Sequence, residues 1–489
     1  IAVYGDYDVD GVTATTLLVQ ALQQMGARVR EYIPNRFDEG YGLNNDALDS
    51  LQADGVSLVI TVDCGIRSLD EAEHARKIGL DLAISDHHHP GDELPDALAV
   101  INPKKHGDAY PDKDLAGVGL AYKIVQALLA RQGNAVAVYE DGLDLVALGT
   151  VADLAPLTGE NRALVRAGLE RIRNPRRQGL ASLAQAAGLN LRSTSAMDIG
   201  FVLGPRLNAA GRLESALDAF QLLTTEDLAL AGKLAQKLDS QNRERQRLTR
   251  DTQTRAEELA MQGREDALLL FAVDPGFNPG IVGLAASRLS DTYYRPSIVG
   301  AKMEDVTRAS CRSIPEFHIT EALDRCADLL VHYGGHAAAA GFTVRNENLE
   351  ELIERLQAIA IDELGGMDLR PVEMADLEIP LGAVNFGVLK HLEKLQPTGY
   401  GNSEAVFISR DAKIRYAKSV GADKKHLKLV VADQSSGIAH DAIAFGKGAL
   451  NGYLSEQVDL LYTLERNEYQ GMVSLQLRVK DIKPAGEPD

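Results

Sequence analysis

No tryptophan occurs among the 489 residues, and tyrosine and phenylalanine together make up only 5%. Any stacking on an aromatic ring therefore falls to Tyr or Phe. Cysteine is nearly as scarce. Cys64, Cys311 and Cys326 form neither a disulfide framework nor a Cys-x-x-Cys zinc site, a usage that fits a reducing cytoplasm. No apolar run approaches the roughly 20 residues of a membrane span, and no signal peptide is visible. The chain opens inside a strand-like run without Met, which suggests a trimmed N-terminus. A Walker A pattern is missing, which argues against ATP-driven work. Basic residues are the minority charge, 51 Lys and Arg against 70 Asp and Glu, for a net charge of −19. A field of that sign repels phosphate at long range. A local basic groove can overrule it, because screening confines fields to about 10 Å at ordinary salt.

What is present is acid placed at the ends of apolar runs. Ile1 to Gly5 leads into Asp6-Tyr7-Asp8-Val9-Asp10-Gly11. Leu58 to Val62 leads into Asp63-Cys64-Gly65, and Leu82 to Ser85 into Asp86-His87-His88-His89-Pro90. If these runs are parallel strands of one sheet, the clusters emerge at one carboxyl edge, where open α/β sheets place ligands. Carboxylates and imidazoles crowded there need a cation, since like charges at close range protonate one another. Hard oxygen donors with a few imidazoles suit Mn²⁺ or Mg²⁺. The pattern points to a metal-dependent hydrolase with two divalent ions. An EF-hand reading of Asp6–Gly11 fails, because Leu17 stands where a bidentate Glu is needed and a strand precedes the loop.

Along the chain, apolar runs alternate with amphipathic stretches: Val12–Met25, Asp70–Ile78 and Gly119–Arg131 as helices, Arg28–Pro34 and Ala97–Asn102 as strands. This alternation predicts a doubly wound parallel sheet. Leu143 to Asp153 has helical spacing and delivers Asp153 near the helix end, against the helix dipole, which suggests a compensating cation. Gly117-Val118-Gly119 is no dinucleotide fingerprint, because Tyr122 takes the third glycine position. Thr225 to Gln262 reads as one long helix. Its arginines either pair with neighbouring acids or face DNA. Ala267–Val273 and Gly280–Ser290 open a second α/β unit, with Gly334–Gly341 as a Gly/Ala-rich turn. Val406–Ile408, Leu427–Val431, Gln457–Leu464 and Val473–Val479 read as strands of a small barrel of the OB-fold kind. The expected domains are 1–215, 216–264 as connecting helix, 265–368 and 372–485.

Several side chains are candidates for phosphate. Arg36 follows a strand end on the expected ligand edge. Arg206, Asn208 and Arg212 lie in Pro205–Arg212, and an Arg fork suits phosphate. Arg308 and Arg312 alternate along one strand and so share a face. Gly335 and His336 sit in a segment whose small side chains let a sugar-phosphate chain approach.

Taken together, Asp6–Gly11, Asp63–Gly65, Asp86–His88, Gly149–Asp153, Pro205–Arg212, Gly334–Gly341, Leu395–Asn402 and Ser474–Asp481 resemble the RecJ family of single-strand DNA exonucleases, in the DHH phosphoesterase superfamily. The resemblance implies a DHH domain, a long linking helix, a DHH-associated domain and an OB-fold around a central hole. It implies 5′→3′ degradation of single-stranded DNA to 5′-mononucleotides with Mg²⁺ or Mn²⁺, in repair and recombination. It implies Asp8, Asp10, Asp63, His87 and Asp153 as metal ligands, with Asp63 and Asp153 bridging and Asp6 and Asp86 behind them. His88 would meet the scissile phosphate, and Arg36 and Arg206 would hold a 5′-terminal phosphate. A cytoplasmic monomer working with single-strand-binding protein and a helicase, away from membranes, is the expectation. The alternatives are a DHH phosphoesterase acting on short oligonucleotides or cyclic dinucleotides, and a non-catalytic scaffold of replication. Phe277-Asn278 departs from the Trp-His that the family often carries there.

Overall fold

The computed structural model describes residues 1–36, 38–133, 139–262, 266–469 and 471–487. The chain divides into two compact units. The first holds residues 1–153 and 167–371, the second 154–166 and 372–489.

The first unit contains the expected parallel sheet. Strands β1 (Ala2–Tyr4), β2 (Arg30–Tyr32), β3 (Leu58–Thr61), β4 (Asp81–Ser85) and β5 (Ala99–Ile101) lie in the order β2-β1-β3-β4-β5, every pair parallel. Strand order reverses between β1 and β3, so the crevice beyond their carboxyl ends is the switch point of the sheet. Tyr4, Val59, Leu82 and Ile84 are buried, as a sheet covered by helices on both faces requires. The first helix runs from Val9 to Gln24 and ends before Gly26, at φ 86°. It begins three residues before the sequence suggested, because the Asp8 carboxylate accepts from the Gly11 amide and caps it.

A 34-residue helix, Leu228–Met261, follows. Most of its arginines pair along its own surface: Arg243 with Asp239, Arg247 with Glu244 and Asp251, Arg255 with Glu258. Arg245 differs, being partly buried, with Nε lacking a hydrogen-bond partner. Beyond this helix, β6 (Leu270–Asp274), β7 (Ser297–Lys302), β8 (Val306–Arg312), β9 (Leu330–His336) and β10 (Ala339–Arg345) form a mixed sheet in the order β6-β7-β8-β10-β9. The expected Gly/Ala-rich turn is therefore mostly strand. Gly334–Gly341 spans the end of β9 and the start of β10, paired Gly335 to Ala340 and Gly334 to Gly341. Low strand propensity hid it, while pairing of β10 with β8 holds it in place.

The second unit is a barrel. β12 (Phe407–Val420), β13 (His426–Ala432), β14 (Ala439–Ala444), β15 (Gln457–Tyr469) and β16 (Met472–Pro484) follow the order β12-β13-β14-β16-β15, and pairing of β15 with β12 closes the ring. A short β11 (Leu377–Glu378) adds to β12. This is the five-stranded OB arrangement. The sequence reading caught only the start of one strand and missed another. β12 is 14 residues long, not three, its pattern broken by register shifts and by Asp411 at φ 52°. β14 is alanine-rich, with Ile443 its one usual strand former. The barrel also holds residues 154–166: the Leu157 amide donates to the Tyr400 carbonyl, and Arg162 to the carbonyls of Lys394 and Leu395.

Candidate metal centre

Each acidic cluster reaches the crevice as strand ends dictate: Asp6–Asp10 after β1, Asp63 after β3, Asp86–His88 after β4. Asp153 arrives at the C-terminal cap of the Leu143–Ala152 helix. Three groups could each hold a cation: Asp63, His87 and His88; Asp10, His87 and Asp153; Asp6, Asp8 and Asp63. Asp63 and His87 each belong to two groups, so the three merge into one centre.

The distances are those of side chains converging on a point. His87 Nε2 lies 3.0 Å from Asp63 Oδ1, 3.7 Å from Asp153 Oδ2 and 3.8 Å from Asp10 Oδ2. Despite the 3.0 Å separation, neither Asp63 Oδ1 nor His87 Nε2 makes a properly aligned hydrogen bond, and both are buried. Asp6 Oδ1 is likewise buried and unpartnered. Orphaned buried polar atoms are costly, and a cation among them removes the cost.

Proton affinities agree. Burial and neighbouring Asp8 push Asp10 up to about 7, against two amide bonds that lower it. Burial, with Asp10 and Asp8, pushes Asp153 up to about 9. Asp63 and Asp6 are raised well above the carboxylate range, first by burial and then by their acidic neighbours. Burial and the His88 charge drop His87 to about 3, leaving a neutral imidazole with a lone pair to give. Such a set resists ionising by itself and fits a divalent ion of the Mn²⁺ or Mg²⁺ kind.

The backbone is shaped to bring the carboxylates in. Asp63 adopts φ 63°, a left-handed conformation that Asp tolerates better than most residues. Asp10 accepts from the amides of Gly117 at 2.6 Å and Val118 at 2.8 Å, the N-terminus of the Gly117–Arg131 helix. A Cβ on Gly117 would lie 2.7 Å from the Asp63 Cβ. The Gly117-Val118-Gly119 segment, read from sequence only for what it was not, thus positions both carboxylates.

His88 is set apart from His87. Its Nδ1 lies 2.7 Å from Asp86 Oδ1, and its amide donates to the same oxygen. Burial works to raise Asp86, but the His88 bond and charge outweigh it and hold the carboxyl low. The same pair raises His88 despite its burial. Asp86 therefore orients His88 and leaves Nε2 free, as a carboxylate behind an imidazole does. Two neighbours escaped the sequence reading. Asn102, buried, donates to the His88 carbonyl at 2.8 Å. The Tyr41 hydroxyl lies 3.3 Å from His88 Nδ1 and 3.4 Å from the Asp63 carbonyl. Asn102 follows a fourth strand end at the same edge, which was the available signal.

The predicted phosphate contacts divide. The Arg36 guanidinium stacks 4.9 Å from the Tyr7 ring centre. Arg212, half-buried and lowered to about 10 by desolvation and by Arg36, Arg245 and Arg312 around it, belongs to a gathering of like charges from four segments. Its Nη1 donates to the Gly280 carbonyl. Arg206 has a different engagement: Nε pairs with Asp239 at 2.9 Å and Nη1 donates to the Val202 carbonyl. Asn208 accepts from the Val9 amide and braces the loop carrying Asp8. Arg308, Ser310 and Arg312 share a face of β8 that the buried Ala309 and Cys311 do not. Gly335, at φ 154°, has no room for a Cβ, which would lie 2.4 Å from the Ala339 carbonyl, so the hairpin itself accounts for that glycine. The His336 ring stands edge-on to His89, 6.2 Å between centres. Phe277 is buried among Ala272, Val282 and Ala285 and is no stacking surface, while Asn278 accepts from the Gly280 amide.

Comparison with known proteins followed the same division. Residues 1–150 match the DHH family, N-terminal domain; 266–362 the DHHA1 domain; 375–481 the RecJ OB domain. The chain is 39% identical over 485 residues to a Bacillus subtilis single-stranded-DNA-specific exonuclease RecJ, covering 98% of this chain and 61% of that protein. It is 36% identical to the Dickeya dadantii RecJ, covering 99% of this chain and 87% of the relative. The solved structure of Thermus thermophilus RecJ with Mn²⁺ superposes at a TM-score of 0.85 with 31% identity, over 100% of this chain and 69% of that one. A structure of the same protein with Mg²⁺ gives 0.79.

Proposed function

The chain belongs to the RecJ family of single-stranded-DNA-specific exonucleases, and on that membership we propose that it hydrolyses single-stranded DNA from the 5′ end with two divalent ions, releasing 5′-mononucleotides. The observation carrying the chemistry is the shared placement of Asp63 and His87 in overlapping ligand groups, with their facing atoms buried and unpartnered. In this reading Asp8, Asp10, Asp63, His87 and Asp153 hold the ions. Asp6 lies close enough to Asp8 and Asp63 to join them. Divalent ions in such a site supply Lewis acidity toward a phosphodiester and lower the pKa of water.

The chain's own side chains do the rest. Asp86 fixes the His88 ring and raises its proton affinity, so Nε2 can donate to a phosphoryl oxygen as negative charge builds there. The amides of Gly117 and Val118 keep Asp10 aimed at the centre. Arg36, Arg212 and Arg312 form the cationic cluster we assign to a 5′-terminal phosphate. Arg206, committed to Asp239, supports the helix carrying Arg212. No helix is long and apolar enough to cross a membrane among the described residues. Family resemblance extends the proposal to a cytoplasmic monomer working beside single-strand-binding protein and a helicase, in repair and recombination.

A full ligand set weighs against a non-catalytic scaffold, and the OB barrel against a dedicated dinucleotide hydrolase, which has no use for it. End-labelled single strands test the proposal. With Mn²⁺ or Mg²⁺, a 5′ label should appear at once as mononucleotide while a 3′ label shortens progressively. The opposite order, or no digestion, would refute it.

A further inference from the structure

β5 ends at the same edge as the acid-bearing strands, and Asn102-Pro103-Lys104-Lys105 follows it. The start of this loop is tied down. Buried Asn102 donates to the His88 carbonyl at 2.8 Å, and its Oδ1 accepts from the Lys104 amide at 2.7 Å. One side chain thus fixes the Lys104 backbone against the His88 backbone. The two lysines then part. Lys105 Nζ donates to the Val100 carbonyl and blunts the free edge of β5. Lys104 is half-buried, yet among the described residues its ammonium makes no hydrogen bond and no ion pair.

The Lys104 charge nonetheless bears on the metal centre, at His87 and Asp153. Arg36 bears instead on Asp6, Tyr7 and Arg212. The two cations therefore attend different parts of the ligand set, Arg36 the Asp6 part and Lys104 the part made by His87 and Asp153. Lys104 also has cationic company. His89, exposed, feels Lys104, His336 and Arg67, with Asp114 the one acid beside them. Arg67 Nε donates to the His89 carbonyl at 2.9 Å. An unpaired ammonium beside a cation site works against loading of the metal. What it offers in return is a contact for an anion that arrives with the metal already bound.

We propose that Lys104 grips the phosphate immediately 3′ of the scissile one. The proposal rests on the nuclease reading above. With the 5′-terminal phosphate at Arg36, Arg212 and Arg312 and the scissile phosphate at the ions, the strand continues past His87 and Asp153, where Lys104 stands. A lysine is a point charge on a flexible stem. It holds a phosphate without reading a base, as removal of every nucleotide in turn requires.

The test uses the full chain and two 5′-labelled, 5′-phosphorylated oligodeoxythymidylates. One is all phosphate; the other carries a neutral methylphosphonate at the linkage after the scissile one. That linkage becomes the next target and stops the enzyme, so one bond is read. In saturating Mn²⁺, Lys104→Gln should lower kcat/KM for release of the first nucleotide about ten-fold on the phosphate strand, as loss of one charge-assisted contact implies. On the methylphosphonate strand it should match the unaltered protein. Lys104→Arg should keep most of the rate, and Lys105→Gln should change neither strand. In calorimetry without DNA, Lys104→Gln should bind Mn²⁺ about two- to four-fold more tightly, because a repelling charge is gone. Equal rates for Lys104→Gln and the unaltered protein on the phosphate strand would overturn the proposal and leave Lys104 a counter-charge to the carboxylates. A loss that persists on the methylphosphonate strand would overturn it by placing the contact elsewhere. Weaker Mn²⁺ binding would overturn it by tracing the loss to a disturbed centre. Failure of the nuclease reading would show separately, as no label released from either strand by the unaltered protein.

Discussion

Asp63 joins two ligand groups and holds a left-handed backbone to do so. Alanine there would add backbone strain to the loss of charge, whereas Asn tolerates the conformation. Asp63→Asn should abolish cleavage, remove Mn²⁺ binding in calorimetry and leave DNA affinity largely intact; near-normal turnover would exclude Asp63 from the centre. The acids also predict a pH dependence. In the metal-free protein, folded Asp10 and Asp153 titrate near 7 and 9, above an unfolded value of about 3.9. Their contribution to stability is complete below the unfolded value and is lost as pH rises through 7 and then 9. The metal-free melting temperature should therefore fall from pH 5 to pH 8, and Mn²⁺ should offset the fall. Binding should release protons at pH 6, visible as calorimetric heats that differ between buffers of different ionisation enthalpy. His87, already neutral, contributes none. Equal heats in every buffer would contradict this account. At the arginines, Arg36→Ala should weaken use of 5′-phosphorylated ends more than 5′-hydroxyl ends, by ten-fold or more, as a charge-assisted contact of about 1.5–3 kcal/mol implies. Arg206→Ala should instead cost stability, roughly 3 kcal/mol at the low end for a buried pair, because Asp239 keeps Arg243.

At the scale of elements, the approach of the Gly117–Arg131 helix to β3 sets the centre's dimensions. Gly117→Ala places a methyl group against Asp63 and should weaken Mn²⁺ binding by at least ten-fold while the circular dichroism spectrum stays native. Unaltered affinity would mean the helix can retreat without moving Asp10 or Asp63. How much of this was legible depends on the element. Strand–helix alternation and the acid-bearing strand ends were readable because parallel strands put every carboxyl end at one edge. The long helix was readable from its run of helix formers, within three residues of its ends. The β9–β10 hairpin and β14 were not, since glycine and alanine carry little strand signal and only pairing with neighbours holds them extended.

For the whole molecule, the crossing from the first unit to the second falls directly after Asp153. Sequence alone suggests that a cut near residue 372 leaves the metal ligands untouched. The structure adds a cost to that cut: residues 154–166 pack with the barrel, and removing it strips the partners of Leu157 and Arg162. A chain ending at residue 371 should still cleave short oligonucleotides, but with a lower melting temperature and a shallower salt slope on long strands. A truncated protein that melts with the full chain and binds long strands equally would show the barrel to be dispensable.

The sequence by itself supplied the acids and imidazoles of the proposed centre, because chemistry is carried by residue type, and the spacing from strand end to acid is local. It also determined the family, through motifs spread over nearly the whole chain. Only the tertiary structure decided which partners those residues meet. Arg206 and Arg212 are six positions apart on one helix, yet one turns to Asp239 and the other joins Arg36 and Arg312. Asp86 serves His88 and not His87. Phe277 is consumed by the core, while Phe445 stays open beside Arg478. Those outcomes depend on what packs across from each side chain, and contacts between residues distant in the chain leave no periodic signal in it.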